Sequence, residues 1–462
     1  MQEQQISVQY DEYMTQKYEC LIQGGDLIIG DMLEGDLEVT NLRFIEKFNI
    51  KTFICYINNN MSIKFKSKTI NELTLKQPEL LIENINQLQN NAQQQYFCNI
   101  DDFELENLEV LNLVSNNLEN DQLQSLTKFK KLQTLNVSFN NVDLTHIHSI
   151  QSLTKLSIQG CFRLKNIDQI ISLVNLEDLD LGSNMGINIC PLRKIKNLTK
   201  LSLQCGYLMN IDQIIPLTNL QVLNISQNYL QKIDSICLLI NLKELNISSN
   251  KQIDITLLKD LVGLKILNMS NCNLKQLSAL KSLKNLQDLD LSFNSDINIT
   301  ELQYLKQNLT YLNMICCDLV SICALRPLTN LKNLIIAKNQ VVYLDYNLDD
   351  FKYLIEFRVN DNLGSDFSSI IKHRNFNKRN FIITNQAVPS KDQLFKANQM
   401  RNIECPNIQL IEIQNKHKPL KTTFNHLKQN INAAMRNVRS NQIMFTVNVV
   451  RLFQLLNTFG FE

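Results

Sequence analysis

Residues 220–250 read LQVLNISQNYLQKIDSICLLINLKELNISSN, and this stretch contains one pattern twice. Its first copy is marked by Leu220, Leu223, Ile225 and Asn228, and the same residue types return 22 residues later. Alternation of apolar and polar residues over a few positions is typical of a strand. A unit this short cannot bury its own apolar face, so the pattern predicts that successive units stack and share one core.

The same pattern begins twelve times between residues 108 and 362, and the steps between starts are 21 to 24 residues long. A drift of one or two residues falls behind the strand, where a loop absorbs it without breaking the stack. The starting residues are Leu108, Leu132, Leu153, Leu176, Leu198, Leu220, Leu242, Leu264, Leu286, Leu309, Leu331 and Leu354.

Each unit predicts a short strand followed by a tighter turn of helix. After Leu220, we expect Leu223 and Ile225 to face inward, and the side chains between them and after them to face outward, namely Val222, Asn224 and Ser226. Three apolar residues then follow at a spacing of three, which suits a short helix or 3₁₀ turn behind the strand, namely Ile233, Ile236 and Leu239.

Eight residues after each start, eleven of the twelve units carry Asn or Cys. The chain turns sharply there, so an inward amide is expected to satisfy backbone groups that water cannot reach, and a thiol to do the same more weakly. This predicted structural ladder comprises Asn116, Asn140, Cys161, Asn184, Asn228, Asn250, Cys272, Asn294, Cys317, Asn339 and Asn362. The remaining unit, which starts at Leu198, has Gly206 at this position, and its turn is predicted to be the loosest.

The repeat pattern resembles the SDS22-like class of leucine-rich repeats. The resemblance covers about 108–362, and extends more faintly from about residue 24. The residues that carry the resemblance are Leu242, Leu245, Ile247, Asn250, Ile253, Leu257 and Leu261. It implies an α/β leucine-rich-repeat solenoid with a curved parallel sheet on the concave face and short helices or 3₁₀ turns on the convex face. The class includes phosphatase regulators, dynein and spliceosomal subunits and bacterial adhesins, so it does not specify a function.

The predicted organisation has five segments. Residues 1–23 form an N-terminal cap, 24–106 degenerate repeats with a Gln/Asn-rich insertion, 107–362 the regular repeats, 363–390 a closing segment and 391–462 a basic helical extension. The degenerate repeats show the template at Ile50, Phe53, Cys55 and Asn58, at Ile70, Leu73 and Leu75, and as a trace at Leu27 and Ile29; the insertion is 87–95.

Charge is distributed unevenly along the chain. Residues 364–462 carry 14 Lys and Arg against 5 Asp and Glu, a net charge of +9, which leaves −8 for the rest because the whole chain is +1. The apolar seam at Leu420, Phe424, Leu427, Ile431, Ala434 and Val438 is under three heptads long. We expect it to pack within the molecule, so a monomer is predicted, with tail-mediated oligomerisation as the alternative.

The motifs that the sequence lacks indicate its cellular compartment and argue against catalysis. Residues 1–10 have neither a basic start nor an apolar run, so no secretory signal is expected. The sequence has no run of 18 apolar residues and no Cys-x-x-Cys spacing, and we expect free thiols in the cytoplasm or nucleus. No nucleotide loop, hydrolase elbow or nucleic-acid motif occurs. The only His-x-His, His146 and His148, lacks further ligands at metal spacing. We therefore predict no enzymatic activity, cofactor, metal or nucleic-acid partner.

The outward faces of the strands remain as the candidate binding surface. Two places after each start, Lys155, Asp178 and Lys200 alternate in charge and are interpreted as a cross-strand ladder. Beyond them the outward side chains alternate between apolar and acidic, as a basic and partly hydrophobic peptide would require. The predicted partner-binding residues are Val222, Glu244, Ile266, Asp288, Asp290, Tyr311, Ile315 and Ile335.

Two functions fit this surface. The first is an intracellular scaffold that captures a protein or peptide partner on the concave face. The second is a regulatory subunit of a catalytic protein such as a Ser/Thr phosphatase. The resemblance implies that phosphatase-binding members use aromatic and acidic side chains on this face, whereas this chain contains no Trp.

Overall fold

The computed structural model describes residues 103–251, 253–341 and 350–363, Ile100, and seven further strands between residues 20 and 76 and at 381–382. The chain divides into two compact units, Met1–Cys272 and Asn273–Glu462. Each unit contains parallel strands with 3₁₀ turns behind them, which is the leucine-rich-repeat architecture that the repeat pattern predicts.

The first unit contains fifteen of the described strands, and those of the regular repeats are only three residues long. They are β1 (Cys20–Gln23), β2 (Asp26–Ile29), β3 (Leu37–Glu38), β4 (Thr52–Tyr56), β5 (Ile63–Ser67), β6 (Glu72–Lys76), β7 (Phe103–Leu105), β8 (Val110–Asn112), β9 (Thr134–Asn136), β10 (Lys155–Ser157), β11 (Asp178–Asp180), β12 (Lys200–Ser202), β13 (Val222–Asn224), β14 (Glu244–Asn246) and β15 (Ile266–Asn268).

The main sheet of this unit runs β2, β4, β6 and then β8 to β15, with every neighbouring pair parallel. Equivalent repeat positions are in register, as Leu223 with Leu201 and Leu245 shows. The predicted degenerate strands around Phe53 and Leu73 therefore join the sheet. At its edge, β1 pairs with β2 in the antiparallel direction.

A second, smaller sheet in the first unit was not predicted. It has the order β3, β5, β7, and its pairs are parallel. In the degenerate repeats, extended segments such as Ile63–Ser67 thus follow the strands of the main sheet. The alternation of Ile63, Phe65 and Ser67 with two lysines is compatible with a strand, but it lacks the repeat template that drew attention to its neighbours.

The second unit contains a parallel sheet of the same kind. Its strands are β16 (Asp288–Asp290), β17 (Tyr311–Asn313), β18 (Asn333–Ile335), β19 (Glu356–Arg358) and β20 (Phe381–Ile382). They pair in chain order. The last strand lies in the predicted closing segment of 363–390, and the predicted helical extension of 391–462 lies outside the described residues.

The 3₁₀ turns behind the strands supply the other half of each core. Ile236 lies in one of these turns and is fully buried, and Leu223 on the strand of the same repeat is 1% exposed. The spacing of three thus produces a 3₁₀ turn, as predicted. The turns span Asn120–Lys128, Ile147–Ser149, Asp168–Ser172, Cys190–Lys194, Asp212–Ile214, Asp234–Leu238 and Thr256–Asp260 in the first unit, and Ser278–Ser282, Thr300–Leu305 and Cys323–Leu325 in the second.

Candidate partner-binding surface

The turn after each strand is fixed by the Asn or Cys at position eight, counted from the starting leucine as position zero. The Oδ1 of Asn140 accepts the backbone N–H groups of Asn116 and Leu118, each at 2.9 Å. Its Nδ2 donates to the carbonyl oxygens of Leu113 and Val137, each at 2.8 Å. One buried amide therefore binds both its own repeat and the preceding one.

Cysteine fills the same position with fewer hydrogen bonds. The Sγ of Cys317 lies 3.2 Å from the carbonyl oxygen of Leu291, and the Sγ of Cys272 lies 3.2 Å from that of Ile247. Burial raises the pKa of Cys317 to about 12 and that of Cys272 to about 11. Both thiols are thus held as neutral donors.

Gly206, which has no side chain to offer, is nevertheless well bonded. Its N–H donates to the Oδ1 of Asn228 in the following repeat at 3.0 Å, and its carbonyl oxygen accepts the N–H of Gly186 at 3.1 Å. The backbone therefore replaces part of the missing amide, and hydrogen bonds reach this turn from the repeats on both sides.

In the first unit, the outward row of strand residues at position two lies in register across the sheet. Val222 pairs with Glu244, which pairs with Ile266. Glu244 and Ile266 are exposed, and Val222 is partly exposed. These three predicted side chains therefore form a continuous solvent-facing segment, with one carboxylate between two apolar groups.

The two lysines beside Asp178 do not lower its pKa below the ordinary value. Asp178 lies in register between Lys155 and Lys200, as the predicted charge ladder requires. The pKa of Asp178 is nevertheless raised, because burial outweighs the opposing effects of Lys200 and Lys155. The charges alternate in space, but they stabilise the carboxylate less than its burial destabilises it.

In the second unit, Tyr311 on β17 lies beside the carboxylate of Asp288 on β16. It pairs in register with Asp288 on one side and with Asn333 on the other. Asn333 in turn donates from Nδ2 to the Oε2 of Glu356 at 2.6 Å. The phenol is partly exposed, so this row combines an accessible aromatic ring with carboxylates at both ends.

The electrostatic field at Tyr311 is negative. Its pKa is raised first by burial, then by the negative charges of Asp290 and Glu356, while Arg358 acts in the opposite direction. Because a phenolate is disfavoured wherever a cation is favoured, the same carboxylates would attract a positively charged side chain.

Two predicted residues of the second unit, both at position four, are less available than the sequence suggested. Ile335 is only 7% exposed; it is the last residue of β18 and pairs in register with Asn313 on one side and the longer Arg358 on the other. Asp290 is partly engaged: its Oδ1 accepts the hydroxyl of Ser292 at 2.6 Å, and its Oδ2 accepts the amide of Asn313 at 3.0 Å. Ile335 therefore supports the core, and its predicted exposure is wrong.

The outward orientation predicted for Ser226 is also wrong. Ser226 is only 2% exposed, because the backbone already turns at position six and its hydroxyl donates to the Oδ1 of Asn224 at 2.8 Å. Exposure at position six therefore differs from repeat to repeat. Ile315, at position six of its own repeat, is partly exposed.

Sequence reasoning missed a set of exposed apolar side chains beyond the strand ends. These are Phe162, Met185, Tyr207 and Tyr229, which occupy position nine of four successive repeats. Position nine lies outside the leucine template, so it does not contribute to the periodic signal. Comparison of that one position across repeats would have revealed the row.

Other chemistry is sparse among residues 103–251, 253–341 and 350–363. No group of three or more His, Cys, Asp or Glu is placed there to hold a metal ion. The Nδ1 of His148 lies 3.0 Å from the carbonyl oxygen of Leu144. The cysteines in these ranges are free thiols. None of the helices described is long and apolar enough to cross a bilayer.

Solved structures with the same fold are known. An internalin from Listeria monocytogenes is 21% identical with a TM-score of 0.53, and the match covers 62% of this chain and 83% of that one. A leucine-rich-repeat protein from Leptospira interrogans is 24% identical with a TM-score of 0.52 and coverage of 75% and 94%. The sequence matches no protein-family model and no curated protein. These similarities support the leucine-rich-repeat fold alone.

Proposed function

We propose that this leucine-rich-repeat solenoid is an intracellular protein-interaction scaffold that binds a basic, partly hydrophobic segment of a partner on the outward face of its sheet. The observation that carries the proposal is the environment of Tyr311, a partly exposed ring that pairs in register with Asp288 and lies in a negative field to which Asp290 and Glu356 contribute, although Glu356 is also paired with Arg358. A lysine or arginine of the partner would gain both carboxylate and ring contacts there.

The first unit supports the same chemistry separately. Glu244 stands exposed between Val222 and Ile266, so a basic side chain at Glu244 would have apolar surface on both sides. Lys and Arg carry aliphatic stems that pack on such surface while their charged ends reach a carboxylate. Both segments would therefore recognise the same class of peptide.

Rigid short strands suit this role. The outward side chains are fixed on a hydrogen-bonded sheet whose inner face is fully buried, for example at Leu245 and Leu312, each at most 1% exposed. A preorganised surface loses little conformational entropy on binding. The free thiols of the described cysteines, several of them buried at ladder positions, support a reducing intracellular compartment such as the cytoplasm.

Charge reversal tests the proposal in each unit separately. Glu244→Lys and Asp288→Lys should each weaken capture of partners by the full-length protein, measured by cross-linked affinity purification and mass spectrometry. Asp260→Lys is the control, because Asp260 is also exposed but ends a 3₁₀ turn behind the sheet. Partner recovery that is unchanged in both face variants would overturn the proposal.

A regulatory subunit of a catalytic protein, such as a Ser/Thr phosphatase, is the second candidate. It is favoured by the combination of one aromatic ring and several carboxylates around Tyr311. Recovery of one stoichiometric catalytic subunit, lost in Asp288→Lys, would support this candidate over a general scaffold. Recovery of several unrelated partners would argue for the scaffold.

A further inference from the structure

A row of large apolar side chains lies in solvent along one edge of the first unit, beyond the carboxyl ends of its strands. Position nine of four successive repeats carries Phe162, Met185, Tyr207 and Tyr229, which are 85%, 61%, 50% and 60% exposed. The row ends at Asn141 and Lys251, which occupy position nine in the flanking repeats and are polar.

The row is continuous. The strands that precede its members, β10 to β13, are parallel and in register, so equivalent positions recur at about 4.8 Å. The ring centroids of Tyr207 and Tyr229 are 5.4 Å apart. Two further side chains widen the row, Phe139 at 49% and Met209 at 75% exposure.

The backbone at Tyr207 disfavours a tyrosine. Its φ is +60°, in the left-handed region that bulky side chains rarely adopt. The other non-glycine residues at position nine with positive φ are Asn117, Asn273 and Asp318, which are residue types that tolerate this conformation. The aromatic ring is thus kept in solvent at a conformational cost, which favours a role for the ring outside the fold.

The exposed area is large enough for a stable interface. Taking about 200 Å² for each fully exposed side chain, the six residues expose roughly 760 Å². The largest apolar patch on an ordinary monomer is about 300–600 Å². A standard interface buries about 800 Å² on each partner, so this edge alone nearly supplies one side of it.

We infer that this edge is the dimerisation surface of the protein, in contrast to the monomer predicted from the short apolar seam, and that its occupant is the same edge of a second copy. A repeat array fits its own copy, because both rows have the same pitch and their side chains can interdigitate along the full length. The row itself carries no charge, so pairing it with itself buries no like charges. This inference is independent of the function proposed for the sheet face.

The polar ends of the row fix the direction of pairing. In an antiparallel, two-fold arrangement, Lys251 of one copy lies near Asn141 of the other. In a parallel arrangement the two Lys251 ammonium groups would oppose each other. The antiparallel dimer is therefore favoured, and it places Met185 opposite Tyr207 of the second copy and Phe162 opposite Tyr229.

The first test is the mass of the full-length protein by light scattering and sedimentation velocity over a concentration series. The wild type should be a dimer, and Met185→Glu should raise the dimer dissociation constant at least about tenfold. Ile240→Glu is the matched control, because Ile240 is 64% exposed in the same unit but precedes a strand and lies outside the row. Circular dichroism should be unchanged in both variants.

The second test uses opposite charges. Met185→Glu mixed with Tyr207→Lys should form a heterodimer, because an antiparallel pair brings Glu and Lys together at one contact and leaves the native contact at the other. Each variant alone should dimerise at least about tenfold more weakly than the wild type. A monomeric wild type at every concentration would overturn the inference, and so would an unchanged dimer dissociation constant in Met185→Glu, which would assign association to another surface.

Discussion

The side-chain oxygen of Asn140 lies 2.9 Å from the backbone nitrogen of Asn116, one repeat earlier in the chain. Both residues occupy position eight, so each turn is bonded to the equivalent residue of the next repeat. Asn228 forms the same contact with the backbone of Gly206, at 3.0 Å. The stacked turns are therefore linked by side chains as well as by the sheet.

Replacing Asn140 should be costly. Asn140→Ala removes an amide that is 3% exposed and leaves buried backbone groups of Asn116, Leu118 and Leu113 without partners. We expect the free energy of unfolding to fall by about 3 kcal/mol, measured by urea denaturation. Asn141→Ala, at the adjacent and partly exposed position, should cost less than about 1 kcal/mol; equal losses would contradict the structural role of the ladder.

Alanine substitution at two glycines should distinguish the cost of a strained backbone from the cost of a steric clash. Gly160 and Gly186 both have positive φ, +61° and +72°, so alanine is strained at either position. At Gly160 an added Cβ would also lie 2.7 Å from the Cδ1 of Phe139, whereas a Cβ added at Gly186 would meet no other side chain or backbone within 4 Å. Gly160→Ala should therefore lower the melting temperature more than Gly186→Ala. In a Phe139→Ala background the difference should disappear.

Adjacent cysteines should differ sharply in reactivity. Cys317 is 1% exposed and burial raises its pKa to about 12, whereas Cys316 is partly exposed. Because the thiolate is the reacting form, Cys316 should be alkylated by iodoacetamide in the native protein at pH 8 while Cys317 is protected. Peptide mapping by mass spectrometry measures both sites. Rapid labelling of Cys317 without unfolding would contradict its place in the turn.

The same thiols predict loss of stability in alkali. In the folded protein the pKa of Cys272 is raised from 9.0 to about 11 and that of Cys317 to about 12. Above pH 9 the unfolded chain releases these protons and the folded chain keeps them, so the free energy of unfolding should fall as pH rises from about 9 to 12. Below pH 9 this contribution is fully present.

The Cys272→Ala and Cys317→Ala double variant tests that linkage. It should be less stable at pH 7, because two buried side chains are truncated, but its stability should decline less steeply above pH 9. Urea denaturation at several pH values measures the slope. A slope identical to that of the wild type would show that these thiols do not control the alkaline transition.

The positions of strands, turns and core followed from the spacing of the leucines. A leucine at position three, such as Leu223, must be buried in every repeat for the stack to form, so its recurrence is visible in one dimension. The degenerate repeats were identified at Phe53 and Leu73, which lie on paired strands β4 and β6. The sheet of β3, β5 and β7 was missed, because its segments do not repeat at a fixed spacing.

The candidate binding surface was less predictable. Alternation assigned Ile335 and Ser226 to the outside, but both are buried, because exposure depends on the side chains of neighbouring strands and on where the backbone begins to turn. The row of Phe162, Met185, Tyr207 and Tyr229 was not predicted, because residue types outside the repeat template do not recur at a fixed spacing. Outward side chains are selected by partners, so their pattern need not repeat.

The sequence alone determined the leucine-rich-repeat fold, because burying a leucine-rich face requires apolar residues at the same positions in every repeat. Only the tertiary structure decided which variable side chains reach solvent and which lie together. Tyr207 and Tyr229 are 22 positions apart in the chain, yet their rings are neighbours at 5.4 Å, because stacking converts a repeat length into one strand spacing.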